Sequence, residues 1–251
     1  MAALTKWIND AYLDHEYTRA IRESVQAKPY AKYAVLDNFF KPRMLDQLVA
    51  SYNNLTFSEE LDKYTADGEQ LPYDSSVVFG TKNHFGAELF YDPEWHQYCG
   101  YLAGLQFPGH VTTEIKLRYH RPHSTGFWIH TDNPTRDMVV IAYFNKGWKV
   151  SDGGLLQLWK MDDPVHSKFH AVEAPKDKLA FLNTATCVRT KTPGGGFEDQ
   201  KLHDLVLIDQ IVPIYNRVFI CNFRSNPAYH SITPSGTKAR MGFVQWMANP
   251  R

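Results

Sequence analysis

The feature that most constrains this chain is a change of period at residue 111. From Val111 to His120 the side chains alternate without a break. Val111, Thr113, Ile115, Leu117 and Tyr119 share one face, and Thr112, Glu114, Lys116, Arg118 and His120 share the other, the pattern of a strand covered differently on its two sides. Further strand-like segments lie at 127–132, 137–144, 154–159, 217–223, 228–233 and 239–247. Turn chemistry at Asn133-Pro134, Asp152-Gly153-Gly154 and Pro234-Ser235-Gly236 separates several of them. A succession of short strands with such breaks folds into a barrel or jelly roll rather than a bundle.

Before residue 111 the period is helical. Ile8, Tyr12, Leu13, Tyr17, Ile21 and Val25 predict a helix within 4–27 that Pro29 stops. Residues 33–40 read as a short strand. A second helix is predicted from Pro42, with Met44, Leu45, Leu48, Val49 and Tyr52 on one side, and a third from Asp92-Pro93 through Trp95, Tyr98 and Leu102. The expected organisation is one domain over 1–251, mainly β: a helix-rich front end (1–110) bracing a jelly-roll core (111–247). Residues 161–213, with Pro164, Pro175 and Thr192-Pro193-Gly194-Gly195-Gly196, read as a long excursion between strands, a place where lids and binding loops are found.

Composition excludes several classes of function. Lys plus Arg and Asp plus Glu both total 27, so there is no basic excess for nucleic acid or an anionic membrane. No segment has the roughly 18 apolar residues of a span, and Met1–Leu4 runs into Lys6, Asn9 and Asp10 without an export-type apolar core. Cys99, Cys187 and Cys221 are too scattered for a disulfide framework and form no Cys-x-x-Cys pair, which predicts a reducing, cytoplasmic compartment.

Chemistry is carried by histidine and carboxylate at strand spacing. His130 and Asp132 end a strand candidate and project from one face, so that an imidazole and a carboxylate can meet one ion. His230, in the segment Tyr229-His230-Ser231-Ile232, is the best third ligand. Two histidines and one carboxylate make the facial triad suited to non-haem Fe(II), with positions left open. With 11 histidines in the chain, about 0.7 His-x-Asp pairs arise by chance, so the pair alone is weak.

Arg240 adds weight. It shares a strand face with Gly242, Val244 and Trp246, and a guanidinium among apolar neighbours needs a counter-charge. Arginine grips carboxylates through paired hydrogen bonds, and Gly242 leaves room beside it. The competing reading is an arginine at the solvated start of a strand, paired with a surface acid. Tyr119 and Tyr143 are either core tyrosines or hydrogen-bond donors to a bound acid.

The ordered set Tyr119, Gly126-Phe127-Trp128-Ile129-His130-Thr131-Asp132-Asn133-Pro134, Tyr143-Phe144-Asn145-Lys146-Gly147-Trp148, Gly153-Gly154-Leu155, Asn216-Arg217-Val218-Phe219, His230 and Arg240 resembles the iron(II)- and 2-oxoglutarate-dependent oxygenases. Within them it is similar to the prolyl-4-hydroxylase-like branch. The front-end segment Ala34–Phe40 with its following helix fits the same family. The resemblance spans roughly 113–247 and implies a double-stranded β-helix, a cupin-like jelly-roll barrel. It implies iron held by His130, Asp132 and His230, and 2-oxoglutarate held at its distal carboxylate by Arg240, with Tyr119 and Tyr143 as helpers. Lys238 is a weaker competitor for the carboxylate.

The resemblance further implies a dioxygenase that consumes O2 and 2-oxoglutarate, releases succinate and CO2, and hydroxylates an unactivated C–H bond of an amino-acid-type substrate, free or in a peptide or protein. Halogenating relatives carry a small residue where Asp132 stands, so Asp132 favours hydroxylation. The alternatives are an oxygenase tailoring another small molecule, and a non-enzymatic jelly-roll module that binds a carboxylate. The excursion is longer than the family pattern, so substrate contacts do not carry over.

Remaining features have plainer readings. His166-x-x-x-His170 lacks the glutamate of a His-Glu-x-x-His site, and Gly194–Gly196 lacks a phosphate-loop continuation and reads as a lid hinge. His120 and His123 border Tyr119 and are expected either at the pocket mouth or, as the plainer reading, in a loop. Trp128 and Trp246 are expected in the core. Arg121, Arg136, Gln157, Asn222 and Arg224 are expected at substrate contacts or on the solvated rim.

Overall fold

The computed structural model describes residues 2–53, 55, 59–61, 72–78, 84–107, 111–124, 126–130, 132, 135–160, 171–173, 187–191, 197–201, 206–224 and 228–250, with backbone alone at 2, 59–61, 72–78, 127–130, 171–173, 187–191 and 197–201. The periodic run at 4–27 is not one helix. It divides into α1 (Ala2–Trp7), a 3-10 turn (Asp10–Leu13) and α2 (His15–Ala27). Two polar side chains cause the breaks. Asn9 accepts from the Ala11 amide at 3.1 Å and Asp14 from the Tyr17 amide at 2.8 Å, and each such cap starts a new helical segment. The break also lets Ile8 pair with Phe40 as a β-bridge. The other expected helices form as α3 (Pro42–Tyr52) and α5 (Pro93–Leu102), each opened by proline, and Asp92 caps α5. A short α4 (Ala87–Phe90) precedes α5. No described helix is long and apolar enough to cross a membrane.

The predicted strands appear as β1 (Lys32–Asp37), β4 (Thr112–His120), β5 (Phe127–His130), β6 (Met138–Tyr143), β7 (Leu156–Lys160), β12 (Arg217–Asn222), β13 (Tyr229–Ile232) and β14 (Arg240–Ala248). Sequence periodicity did not reveal β2 (Glu59–Leu61) and β3 (Pro72–Val78), which extend the large sheet, nor the strands inside the expected excursion. The interval 161–213 is therefore corrected. Strands β8 (Ala171–Glu173), β9 (Cys187–Lys191) and β10 (Phe197–Lys201) form their own sheet, and β11 (Val206–Ile211) belongs to the barrel.

From β4 onward, barrel strands alternate between two sheets, except that β7 and β11 follow one another within the smaller sheet. The larger has the order β1-β12-β6-β14-β4-β3-β2, the smaller β11-β7-β13-β5, and all pairings are antiparallel. This alternation is the double-stranded β-helix, and β8–β10 are inserted between the neighbouring strands β7 and β11. Val206 at the start of β11 lies opposite Lys160 at the end of β7, so the chain returns to the barrel where it left.

Two apolar clusters fill the layers. The outer face of the large sheet presents Ile115, Leu117, Met138, Val140, Ala142, Val218, Ile220, Phe243 and Met247 to the helices, where Trp7, Phe39, Phe40, Phe90 and Trp95 are buried. Each large apolar side chain so buried contributes about 1.5–3 kcal/mol. The inner faces meet across a second cluster. Val139, Tyr143, Phe219, Cys221 and Trp246 come from the large sheet and Leu156, Leu158 and Ile211 from the small one. Asn216 ties front end to barrel: in a left-handed conformation (φ 61°), its amide exchanges two hydrogen bonds with the backbone of Phe40, at 2.8 and 2.9 Å.

Candidate active site

In the small sheet, β13 lies between β7 and β5, and its register sets His230 directly opposite His130 on one side and Leu158 on the other. Residues so paired stand about 5 Å apart, so segments 100 residues apart in sequence bring the two histidines to adjacent positions. A bulge between His230 and Ile232 follows immediately in the ladder with β5, a feature that re-aims strands next to active sites. The His230 ring lies nearly parallel to Phe223, at 5° and 6.5 Å between centroids. Its Nδ1–H donates to the Ala228 carbonyl oxygen at 2.8 Å. That bond selects the tautomer in which Nε2 carries the lone pair, as a metal-binding imidazole requires.

Asp132 follows β5 and reaches the inner face of the large sheet. Its Oδ2 accepts from the Trp246 indole N–H at 2.9 Å, and its Oδ1 lies 3.5 Å from the Arg136 guanidinium. Burial first, and then this carboxylate, push the Cys221 thiol well above its usual range. Among the described residues no three His, Cys, Asp or Glu side chains gather as a metal-ligating group; the His130 imidazole is outside them.

Arg240 begins β14 on the inner face and is 4% exposed, which overturns the reading of a solvated strand end. Its Cζ lies 5.2 Å from the centre of the Tyr143 ring. Burial pulls the guanidinium pKa down against the opposing pull of Tyr143, and burial pushes the Tyr143 phenol up while Arg240 draws it back. Neither Arg240 Nε nor the Tyr143 hydroxyl has a hydrogen-bond partner among the described residues. Two buried donors left open side by side cost several kcal/mol by general expectation, so they mark a place built for an acceptor. Gly154 closes over them. Its φ of 62° is left-handed, and a Cβ there would stand 2.9 Å from Arg240 Cδ.

One residue pair is corrected by the register of β4. Arg240 lies opposite His120, and Met241 opposite Tyr119. Tyr119 therefore shares the outward, helix-packed face of Ile115 and Leu117, away from Arg240, and the histidine expected in a loop takes the inward position. His120 is buried, and burial together with the Arg240 and Arg118 guanidiniums holds its pKa well below the usual histidine value. It is a neutral imidazole at pH 7. The signal was in the sequence: the inward face of β4 is the polar one (Glu114, Lys116, Arg118, His120), because the apolar one is taken by the helices.

Other expectations sort as follows. His123 is in a loop, exposed, as expected. Lys238 is exposed and donates to Asp152 at 2.8 Å and to the Gly147 carbonyl oxygen, so it does not compete with Arg240. Gln157 is buried on the outer face of the small sheet, accepting from Ser231 at 3.0 Å. Asn222 donates to the Ala103 carbonyl oxygen, and Arg224 pairs with Asp137 at 2.9 Å. Arg121 is exposed. Trp246 is in the inner core as expected. The Trp128 side chain, Thr131, Asn133-Pro134, His166, His170 and Gly194–Gly196 lie outside the described residues.

No family model and no curated protein matches the sequence. Solved structures do match the fold. A prolyl-4-hydroxylase from Pseudomonas putida superposes with a TM-score of 0.55 at 12% identity, over 93% of this chain and 100% of its own. An oxidoreductase of the 2OG-Fe(II) oxygenase family from Burkholderia pseudomallei gives 0.57 at 11% identity, over 92% and 90%. HygX from Streptomyces hygroscopicus, solved with nickel, 2-oxoglutarate and hygromycin B bound, gives 0.57 at 9% identity, over 91% and 87%. With the alternating two-sheet topology and the inward register of its last strand, this chain has the fold of the 2-oxoglutarate- and iron(II)-dependent oxygenases, the prolyl 4-hydroxylases among them.

Proposed function

We propose that this protein is an Fe(II)- and 2-oxoglutarate-dependent dioxygenase that hydroxylates an unactivated C–H bond of an amino-acid-type substrate, either free or within a peptide or protein. The observation that carries this reading is the buried Arg240 with its open Nε beside the open Tyr143 hydroxyl. A dianion placed there would take both donors, which no water-filled surface pair requires. The donor set fits the metal as well: two histidines opposed across one ladder, and a carboxylate two residues beyond one of them, match the non-haem iron triad.

In this reading His130, Asp132 and His230 hold the metal, and Arg240 and Tyr143 hold the distal carboxylate of 2-oxoglutarate. The bound iron, with 2-oxoglutarate and O2, supplies oxidative decarboxylation coupled to C–H hydroxylation, chemistry that no side chain here performs alone. The protein's own part is orientation. Ala228 fixes the His230 tautomer, Trp246 fixes Asp132, and neutral His120 supports the carboxylate end. Tyr119, on the opposite face of β4, has no part in it.

The test is succinate release that requires Fe(II), 2-oxoglutarate and Asp132. Asp132→Ala is expected to abolish it, and succinate formation that survives Asp132→Ala would refute the reading. Screening amino acids and peptides for a mass gain of one oxygen identifies the substrate. The fold shared with HygX supports a second reading, a small-molecule tailoring oxygenase, which the same screen over non-peptide compounds distinguishes.

A further inference from the structure

Arg136 is held by two carboxylates at once. Its Nη2 donates to Glu114 Oε2 at 2.6 Å, while its Nη1 lies 3.5 Å from Asp132 Oδ1. The guanidinium also lies 4.0 Å over the ring of Trp246, whose N–H holds the other oxygen of Asp132. The shorter, hydrogen-bonded contact is with Glu114, and the longer is a through-space ion pair only. The three side chains come from different strands or their ends: Glu114 lies opposite Trp246 across β4 and β14, and Arg136 just precedes β6. Glu114 is 41% exposed and Arg136 23%, so neither is part of the packed core.

A guanidinium this close to a carboxylate competes with any other cation for it. From the geometry we infer that Glu114 is a positioning residue that acts through Arg136: it anchors the guanidinium on the Trp246 ring and keeps its pairing with Asp132 to a 3.5 Å ion pair without a hydrogen bond, one that a divalent metal can displace. This inference rests on the metal-binding reading of Asp132 given above. Without the Glu114 anchor, Arg136 closes the 3.5 Å gap and becomes a tethered competitor of the metal. With Arg136 absent, Glu114 keeps its 3.7 Å ion pair with Lys116 but no longer has that guanidinium to hold off Asp132.

The experiment titrates metal-free protein with Mn(II) and reads free Mn(II) by electron paramagnetic resonance, with a thermal melt as a fold control. Glu114→Gln is expected to weaken Mn(II) binding about tenfold, in line with outer-shell changes at metal sites. Arg136→Met is expected to bind at least as tightly as the parent. In the Arg136→Met background, Glu114→Gln is expected to change affinity by less than about twofold, since a direct charge effect of Glu114 would persist there. An unchanged affinity for Glu114→Gln alone overturns the inference, as does an equal loss in both backgrounds, or a loss on Arg136→Met. If the parent protein itself binds no Mn(II), or Asp132→Ala binds it equally well, the metal reading fails instead, and the two failures are thereby told apart.

Discussion

Arg240 is the residue at which the physics is least forgiving. A guanidinium 4% exposed, with Nε unbonded, is destabilising on its own and becomes favourable only when an anion completes it. Removing one partner of a buried charged pair costs about 2–5 kcal/mol, so Arg240→Ala is expected to weaken 2-oxoglutarate binding by roughly 30- to 5,000-fold at 25 °C. Calorimetric titration of the Mn(II)-loaded protein measures this, and binding within threefold of the parent would remove Arg240 from the site. Arg240→Lys restores a charge without the planar fork and is expected to recover only part of the loss. The residue scale is also where sequence reading was most and least effective. Arg240 stood out because a charge in an apolar strand is costly. His120 and Tyr119 were exchanged because period-two alternation tells which residues share a face and leaves open which face is inward.

At the scale of elements, strands separated by turn residues were legible almost to their ends, since β4, β6, β12 and β14 alternate or run apolar between clear breaks. Helix 4–27 was overextended because its apolar period continues through Asn9 and Asp14, whose side chains cap rather than continue. Strand β11 was missed because Val206 and Leu207 are exposed and Asp209 and Gln210 interrupt its apolar residues. The joint between helices and barrel depends on Asn216. Asn216→Ala removes both hydrogen bonds to Phe40 and places alanine at φ 61°. Losing partners for two buried backbone groups and adding left-handed strain is expected to destabilise the fold by about 3 kcal/mol, read by urea unfolding. A loss under 1 kcal/mol would show that the joint is held elsewhere.

For the whole molecule, acid stability follows from two buried imidazoles. Burial lowers the pKa of His96 and, aided by two guanidiniums, that of His120. Both are neutral in the folded state, whereas the unfolded chain takes up protons as pH falls through about 6.5. The unfolded state then binds more protons, so stability is fully present above pH 6.5 and declines below it. Each histidine contributes a slope approaching about 1.4 kcal/mol per pH unit between its folded and unfolded values. Urea unfolding at pH 7.0 and 5.5 is expected to show this decline, and His120→Gln is expected to make it shallower. An identical slope in that variant would mean His120 is protonated in the folded protein.

The meeting of Val206 with Lys160 has an evolutionary consequence. Whatever lies between β7 and β11 enters and leaves through a single doorway on the rim of the small sheet, and none of His130, Asp132, His230 or Arg240 lies in it. Such an insert is a graftable cassette. An insert joined in this way can be lengthened or replaced while the segments that carry His130, Asp132, His230 and Arg240 keep their register.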